Sequence, residues 1–204
     1  MTKFIIGEKI GMTQMFDEAG KVVPVTLVHA GKNVVTQVRT NEKDGYSALQ
    51  VGHGARKKIS KPQAGHVKDL GNIRTLREVR VGETDKNRGD FMEVSQFAAG
   101  DLVKVSGISK AKGFQGVVKR HGFHGAPASH GTKHALREPG SVGATWPQRV
   151  IKGMRMAGRM GGVRISVKNL RVAKVEPEKE IIALVGAVPG RPGTLLEIRG
   201  EGGK

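Results

Sequence analysis

Residues 4–28 read FIIGEKIGMTQMFDEAGKVVPVTLV. Phe4-Ile5-Ile6-Gly7 and Gly11-Met12-Thr13-Gln14-Met15-Phe16 are short and rich in β-formers, and Asp17-Glu18-Ala19-Gly20 carries turn chemistry. Val22, Val23, Val25 and Val28 resume the pattern, with Pro24 marking an edge or a strand start. Outward from this stretch the same grammar continues. Residues 33–39 and 46–51 are strand-like and separated by the turn Asn41-Glu42-Lys43-Asp44-Gly45. Leu102-Val103-Lys104-Val105 is another strand, followed far downstream by 163–167, 170–175, 181–188 and 195–198. Glu176-Pro177-Glu178-Lys179 is a hairpin turn and 189–193 a loop. Short strands at this spacing predict a mainly β chain, closed as a barrel or stacked as a sandwich.

Two stretches depart from that grammar. Residues 55–95 read as a small α+β insertion: a basic run at 55–61, a short helix at 62–70 stopped by Gly71, and a strand at 73–81 with Arg74, Arg77 and Arg80 outward. A polar loop follows at 84–90. The second departure is 110–165. Its basic residues are Lys110, Lys112, Lys119, Arg120, Lys133, Arg137, Arg149, Lys152, Arg155, Arg159 and Arg164, against the single acid Glu138. The window therefore carries +10 of the chain's formal +17, and 11 of its 30 glycines. Between 119 and 149 the large apolar side chains are Phe123, Leu136, Val142 and Trp146 alone. Such a segment buries too little apolar surface to offset its ordering entropy. A polyanion supplying the missing contacts is the physical expectation, and nucleic acid is the commonest polyanion.

Composition narrows the function further. The chain has no cysteine, which removes disulfides, thiolate nucleophiles and Cys-ligated zinc together. Aromatic residues make up only 4%, so Val, Ile and Leu must fill the core. No apolar run approaches the roughly 20 residues that span a bilayer, and no basic amphipathic helix or lipidation signal is present, so no membrane partner is expected. The amino terminus shows neither a secretory leader nor a transit segment, which predicts a cytoplasmic protein.

Three constellations in the basic window invite chemistry. His121, His124, His130 and His134 have zinc-like spacing. A His130/His134 pair needs a helix to face one ion, however, and Gly125, Pro127 and Gly131 disfavour one; eleven cations would also repel a metal. Polar and stacking contacts to RNA suit these residues better. Ser109-Lys110-Ala111-Lys112-Gly113-Phe114-Gln115-Gly116 resembles a phosphate cradle in composition but lacks the Gly-Lys-Ser/Thr ending of a nucleotide loop. In Lys152-Gly153-Met154-Arg155-Met156-Ala157-Gly158-Arg159-Met160, small residues would let the backbone approach RNA while Arg155 and Arg159 reach phosphates; the methionines equally suit a strand packing back on the core. Trp146, the only tryptophan, lies mid-segment beside Pro147, where its ring suits stacking on an unpaired base. Gln148 completes the set of expected RNA contacts. The acids are scattered, with no paired carboxylates and no Ser/His/Asp pattern, so no catalytic residue, cofactor, metal or small-molecule substrate is expected.

Several motifs in order carry a resemblance. Gly7-Glu8-Lys9-Ile10-Gly11-Met12-Thr13, Asp44-Gly45-Tyr46, Lys61-Pro62 with Gly65-His66, and Ser106-Gly107 leading to Gly116-Val117-Val118-Lys119-Arg120 are followed by Pro127-Ala128-Ser129-His130-Gly131, Pro139-Gly140-Ser141-Val142-Gly143, Lys152-Gly153 and Met156-Ala157-Gly158. In these the chain resembles the bacterial members of the ribosomal protein L3 family nearly end to end. The resemblance implies a translation-protein type β-barrel as one domain over 1–204, with the insertion at 55–95 and an extension at 120–160 that penetrates ribosomal RNA toward the peptidyl transferase centre. It also implies early binding to large-subunit ribosomal RNA, a part in starting subunit assembly, and neighbouring large-subunit proteins as partners. Lys104 and Ala111 stand where the family usually has an acid and a glycine. The tip at 144–149 is about one residue shorter than usual, so Gln148 does not fall on the glutamine that some members methylate.

Overall fold

The computed structural model describes residues 3–82 and 85–200; Thr84, where the expected polar loop begins, lies outside them. In chain order the strands are β1 (Phe4–Phe16), β2 (Val22–His29), β3 (Asn33–Arg39), β4 (Ala48–Ala55), β5 (Ile73–Arg80), β6 (Phe91–Met92), β7 (Leu102–Ile108), β8 (Phe114–Gln115), β9 (Gly158–Arg159), β10 (Arg164–Glu176), β11 (Ile181–Val185) and β12 (Leu195–Gly200). The helices are short: α1 (Asn41–Asp44), α2 (Lys61–His66) and α3 (Val117–His121). The chain is mainly β, as its alternation predicts. It divides into two compact units, Met1–Ile108 with Arg164–Lys204, and Ser109–Val163.

In the first unit six strands close a barrel in the order β1-β12-β7-β10-β11-β2, each neighbouring pair antiparallel. Closure leaves no unpaired sheet edge in the ring. The interior is aliphatic, as a chain poor in aromatics requires: Ile5, Val28, Val103, Val105, Ile182, Leu184, Leu196 and Ile198 are all fully buried there. The second sheet runs β5-β4-β3-β6. Side chains alternate across a strand. Ile5 therefore enters the barrel, while Phe4 and Ile6 pack outward with Val35, Leu49, Val51, Val79 and Met92. That two-sided burial explains why Phe4-Ile5-Ile6 reads as an unbroken apolar run.

The sequence reading grouped 33–39 and 46–51 with the barrel strands. They pair instead with β5 and β6 in the second sheet. Alternation reports which faces are buried, not which strand lies alongside. Segments 163–167 and 170–175 join into one strand, β10, whose register against β7 slips between Val167 and Leu170, with Asn169 at φ 56°. The helix expected over 62–70 stops at His66; turns carry the chain on to Gly71 at φ 81°, and Val67 packs with Val34 and Ile73.

A few polar groups tie this unit together. Buried Asn33 accepts from the Ile6 backbone N–H (3.0 Å) and donates to the Ile6 and Gly31 carbonyls (2.9 and 2.6 Å), bridging β1 to the second sheet. Lys9, nearly buried, donates Nζ to the carbonyls of Val188 and Gly190 (3.0 and 3.2 Å). Gly7 leaves no room for a side chain, since a Cβ there would lie 2.8 Å from the His29 carbonyl oxygen.

Candidate nucleic-acid interface

The second unit, Ser109–Val163, holds most of the residues expected to touch RNA. Its neck is a narrow backbone ladder. Ser109 N–H donates to the Val163 carbonyl, Lys112 N–H to Met160, and Met160 N–H to Gly113, each at 2.9 Å. Phe114 and Gln115 of β8 then pair with Arg159 and Gly158 of β9. Gly161 sits at φ 73° against the Lys110 carbonyl, an approach and a conformation that only glycine tolerates easily. Gly125, at φ 76°, makes the same kind of approach to the Leu136 carbonyl.

Beyond the neck, α3 buries Val117 and places Lys119, Arg120 and His121 in its last turn before Gly122 closes it at φ 73°. Arg120 Nη1 donates to the Met156 carbonyl (2.6 Å), and His121 Nε2 lies 3.0 Å from the same oxygen. The returning strand is thus clasped by two side chains read from sequence as RNA contacts. Both are half-buried, so part of their role is internal. Arg155 lies over the Phe123 ring at 5.1 Å, and the Ala126 N–H donates to the Leu136 carbonyl (3.1 Å). Between these segments lies a cavity of about 530 Å³, lined by His121, Phe123, His124, Glu138 and Arg155 among others.

The remaining predicted contacts face outward. Lys110, Lys112, Lys119, His124, His130, Lys133, His134, Arg137, Gln148, Arg149, Lys152, Arg155 and Arg159 are all exposed. Trp146 is 82% exposed and is joined to Pro147 by a cis peptide bond. The methionine stretch is also open, with Met154 and Met156 both above a third exposed, which disfavours the alternative of a strand buried against a core. His130, in the left-handed region at φ 58°, and His134, just ahead of a 3-10 turn over Ala135–Arg137, do not share a helix face. Among the described residues no group of three or more His, Cys, Asp or Glu is placed to hold a metal. Arg164 lies in the barrel unit, where its guanidinium pairs with Glu197.

Phe123 and Glu138, which in the sequence stand out only as composition, both line the cavity. Arg56, Lys57 and Lys58, outside the expected site, are all three exposed in the basic run after β4. The signal there was the triplet itself.

The profile of the family described as "Ribosomal protein L3" matches residues 81–188, the whole of the second unit and the strands flanking it. A curated relative, "Large ribosomal subunit protein uL3" of Acidothermus cellulolyticus, is 52% identical over 203 residues, covering 97% of this chain and 91% of its own length. The chain belongs to the ribosomal protein L3 family. It is therefore a ribosomal protein, a component of a cytoplasmic ribonucleoprotein rather than a member of an enzyme family. The L3-like motif Gly7-Glu8-Lys9 now has a structural meaning. Gly7 permits a close strand approach, Glu8 pairs with Arg74 (2.8 Å), and Lys9 fastens the loop after β11. In the later L3-like signature, Gly107 faces Leu196 across β7 and β12, where a Cβ would lie 2.7 Å from Leu196 Cδ2.

Proposed function

We propose that this chain is a structural constituent of the large ribosomal subunit that binds large-subunit ribosomal RNA through its second unit. One observation carries the reading. Among the described basic residues between 110 and 165, only Arg164 is ion-paired, and all the others except the half-buried Arg120 present exposed cations on a scaffold with a single acid. Unpaired surface cations at this density repel one another unless a polyanion neutralises them. Their backbone support is irregular and glycine-rich, which suits the irregular surface of folded RNA.

The barrel, of the translation-protein type, anchors the protein at the subunit surface beside neighbouring ribosomal proteins. The sheet of β3–β6 with α2 is its appended α+β part. The segment 120–160 runs inward through RNA toward the peptidyl transferase centre and positions nucleotides without doing chemistry. Binding early, the protein helps initiate assembly of the subunit. Trp146, held outward at the tip region, stacks on an RNA base.

Sedimentation tests the reading. The chain should co-purify stoichiometrically with large subunits and stay bound through a high-salt wash that strips loose binders. Cross-linking should map 120–160 to RNA near the peptidyl transferase centre. Loss at high salt, or cross-links confined to the barrel, would overturn it.

A further inference from the structure

We infer that the cavity between residues 121–126 and 135–140 is a receptor for a single unpaired guanine, read by Glu138 and Arg155. The inference rests on the RNA-binding reading above and deepens it by naming the chemistry of one nucleotide site.

Glu138 is the anomaly that motivates it. It is the only acid among the residues from 110 to 165, on a surface otherwise suited to phosphate. A carboxylate there opposes phosphate binding. Its ordinary use would be to pair with a nearby cation, and Arg155 lines the same cavity. Yet Glu138 forms no ion pair or side-chain hydrogen bond among the described residues. Arg155 likewise donates no hydrogen bond there; its guanidinium carbon lies over the Phe123 ring, 5.1 Å from the centroid. A guanidinium that meets a ring and no acceptor still has its planar fork of N–H groups to donate. The cavity thus offers an unused acceptor pair and an unused donor fork on one lining.

Among RNA bases, guanine matches that set. Its N1–H and N2–H₂ lie side by side as donors for the two carboxylate oxygens. Its O6 and N7 form the acceptor pair that arginine recognises bidentately. Adenine and cytosine each offer a single exocyclic amino group, and uracil a single ring N–H. A phosphate would satisfy Arg155 but face Glu138. The cavity, about 530 Å³ and open to solvent, has room for a single base. The rings of Phe123, His121 and His124 are among the lining side chains. The pocket is built on the clasp of Arg120 and His121 on Met156, which fixes Arg155 next to it in sequence.

The test uses assembled large subunits carrying wild-type protein, Glu138→Gln, Glu138→Asp or Arg155→Lys. A dicarbonyl reagent that attacks N1 and N2 of unpaired guanine reports on the base edge facing Glu138. One guanine should be protected in wild-type subunits. It should become roughly tenfold more reactive with Glu138→Gln, which keeps the shape but replaces one acceptor oxygen with a donor. Glu138→Asp, which withdraws the carboxylate but keeps its charge, should expose the same guanine and gives the readout if the Gln variant enters subunits poorly. Methylation at N7 of that guanine should rise with Arg155→Lys. No change at any guanine, or a change at adenine or cytosine instead, overturns the inference. Incorporation is scored separately by protein stoichiometry after a high-salt wash. A protein absent from wild-type subunits would therefore sink the RNA-binding reading itself, whereas normal incorporation with unaltered guanine reactivity sinks only the guanine site.

Discussion

The barrel unit and the second unit handle positive charge in opposite ways. In the barrel unit many cations are matched locally, outside the basic run at 56–58: Lys3 with Asp101, Arg39 with Asp44 and Glu78, Arg74 with Glu8, Arg77 and Arg164 with Glu197, and Lys174 and Lys179 with Glu176. In the second unit the cations carry no ion pair and all but Arg120 stand exposed, and the lone acid is unpaired. The apolar side chains follow the same division. The barrel buries Ile5, Leu184 and Ile198 completely, whereas the second unit leaves Trp146, Val150, Ile151 and Phe114 about half or more exposed. The first unit has a closed aliphatic core of its own, although Phe16, Met12 and Phe91 stay exposed on its surface. The other has its remaining contacts in a partner, because neither its charge nor its apolar surface is satisfied by the protein alone.

The largest expected effect follows from the unmatched charge. If roughly six to ten phosphates are neutralised, affinity for duplex-like ribosomal RNA should fall by about 10³–10⁵ between 50 and 200 mM salt. Replacing Lys110, Lys112 or Lys152 by Gln should each reduce the logarithmic salt slope by about one, while Arg39→Gln should leave it unchanged. A flat titration, or an equal effect of Arg39→Gln, would break the contrast between the two units.

The next effect belongs to the barrel. Leu184→Ala removes a fully buried side chain from the closed ring and should cost about 2–5 kcal/mol in a urea melt, with an unaltered salt slope for RNA. Limited proteolysis of the free protein should first cut within 120–160 and leave a resistant barrel unit. Early cleavage inside β7 or β11 instead would mean that the barrel is the weaker part.

Sequence alone carried the β character, because alternation and turn chemistry are local properties. It carried the basic window, because charge and glycine content need no coordinates. It did not separate β3 and β4 from the barrel, since sheet membership depends on which distant strand lies alongside. Nor could it show that Arg120 and His121 grip Met156: a residue's partner 35 positions away leaves no mark on its own neighbourhood in the chain. Glu138 was visible as a lone acid, but its meaning came only with the cavity and the unpaired Arg155 beside it. Trp146 was legible for the opposite reason: a large aromatic inside a polar, basic stretch is conspicuous without any structure.

That residue gives a smaller, sharper test. Trp146→Ala should weaken binding to ribosomal RNA by about 1–3 kcal/mol while leaving the melting temperature within error, because its ring is exposed and supports no core. As the only tryptophan it also reports on itself. Its emission should be red-shifted and open to quencher in the free protein, then quenched and protected in assembled subunits. Blue-shifted, protected emission that RNA does not change would place the ring in the protein's own packing and erase the distinction drawn between the units.

The smallest effect separates the units by pH. His53 is buried in the second sheet, and burial holds its proton affinity below the ordinary histidine range, with His29 and Arg74 lowering it further and Glu8 and Glu180 partly opposing. Its Nδ1 lies 3.4 Å from the Asn33 amide nitrogen. The unfolded chain takes up this proton near pH 6.5, the folded chain only lower. Between those points the unfolded state binds more protons, so stability falls as pH falls. It is whole above about pH 6.5 and declines below it until the folded ring also titrates. The lowered carboxyl groups of Asp101 and Glu176 have the same sign but act only in the acid range, below the ordinary carboxylate values. Urea melts at pH 7.5 and 5.5 should therefore show a loss of barrel stability that His53→Gln reduces. An equal loss in wild type and variant would assign the pH sensitivity elsewhere and remove His53 from the account of what holds the first unit together.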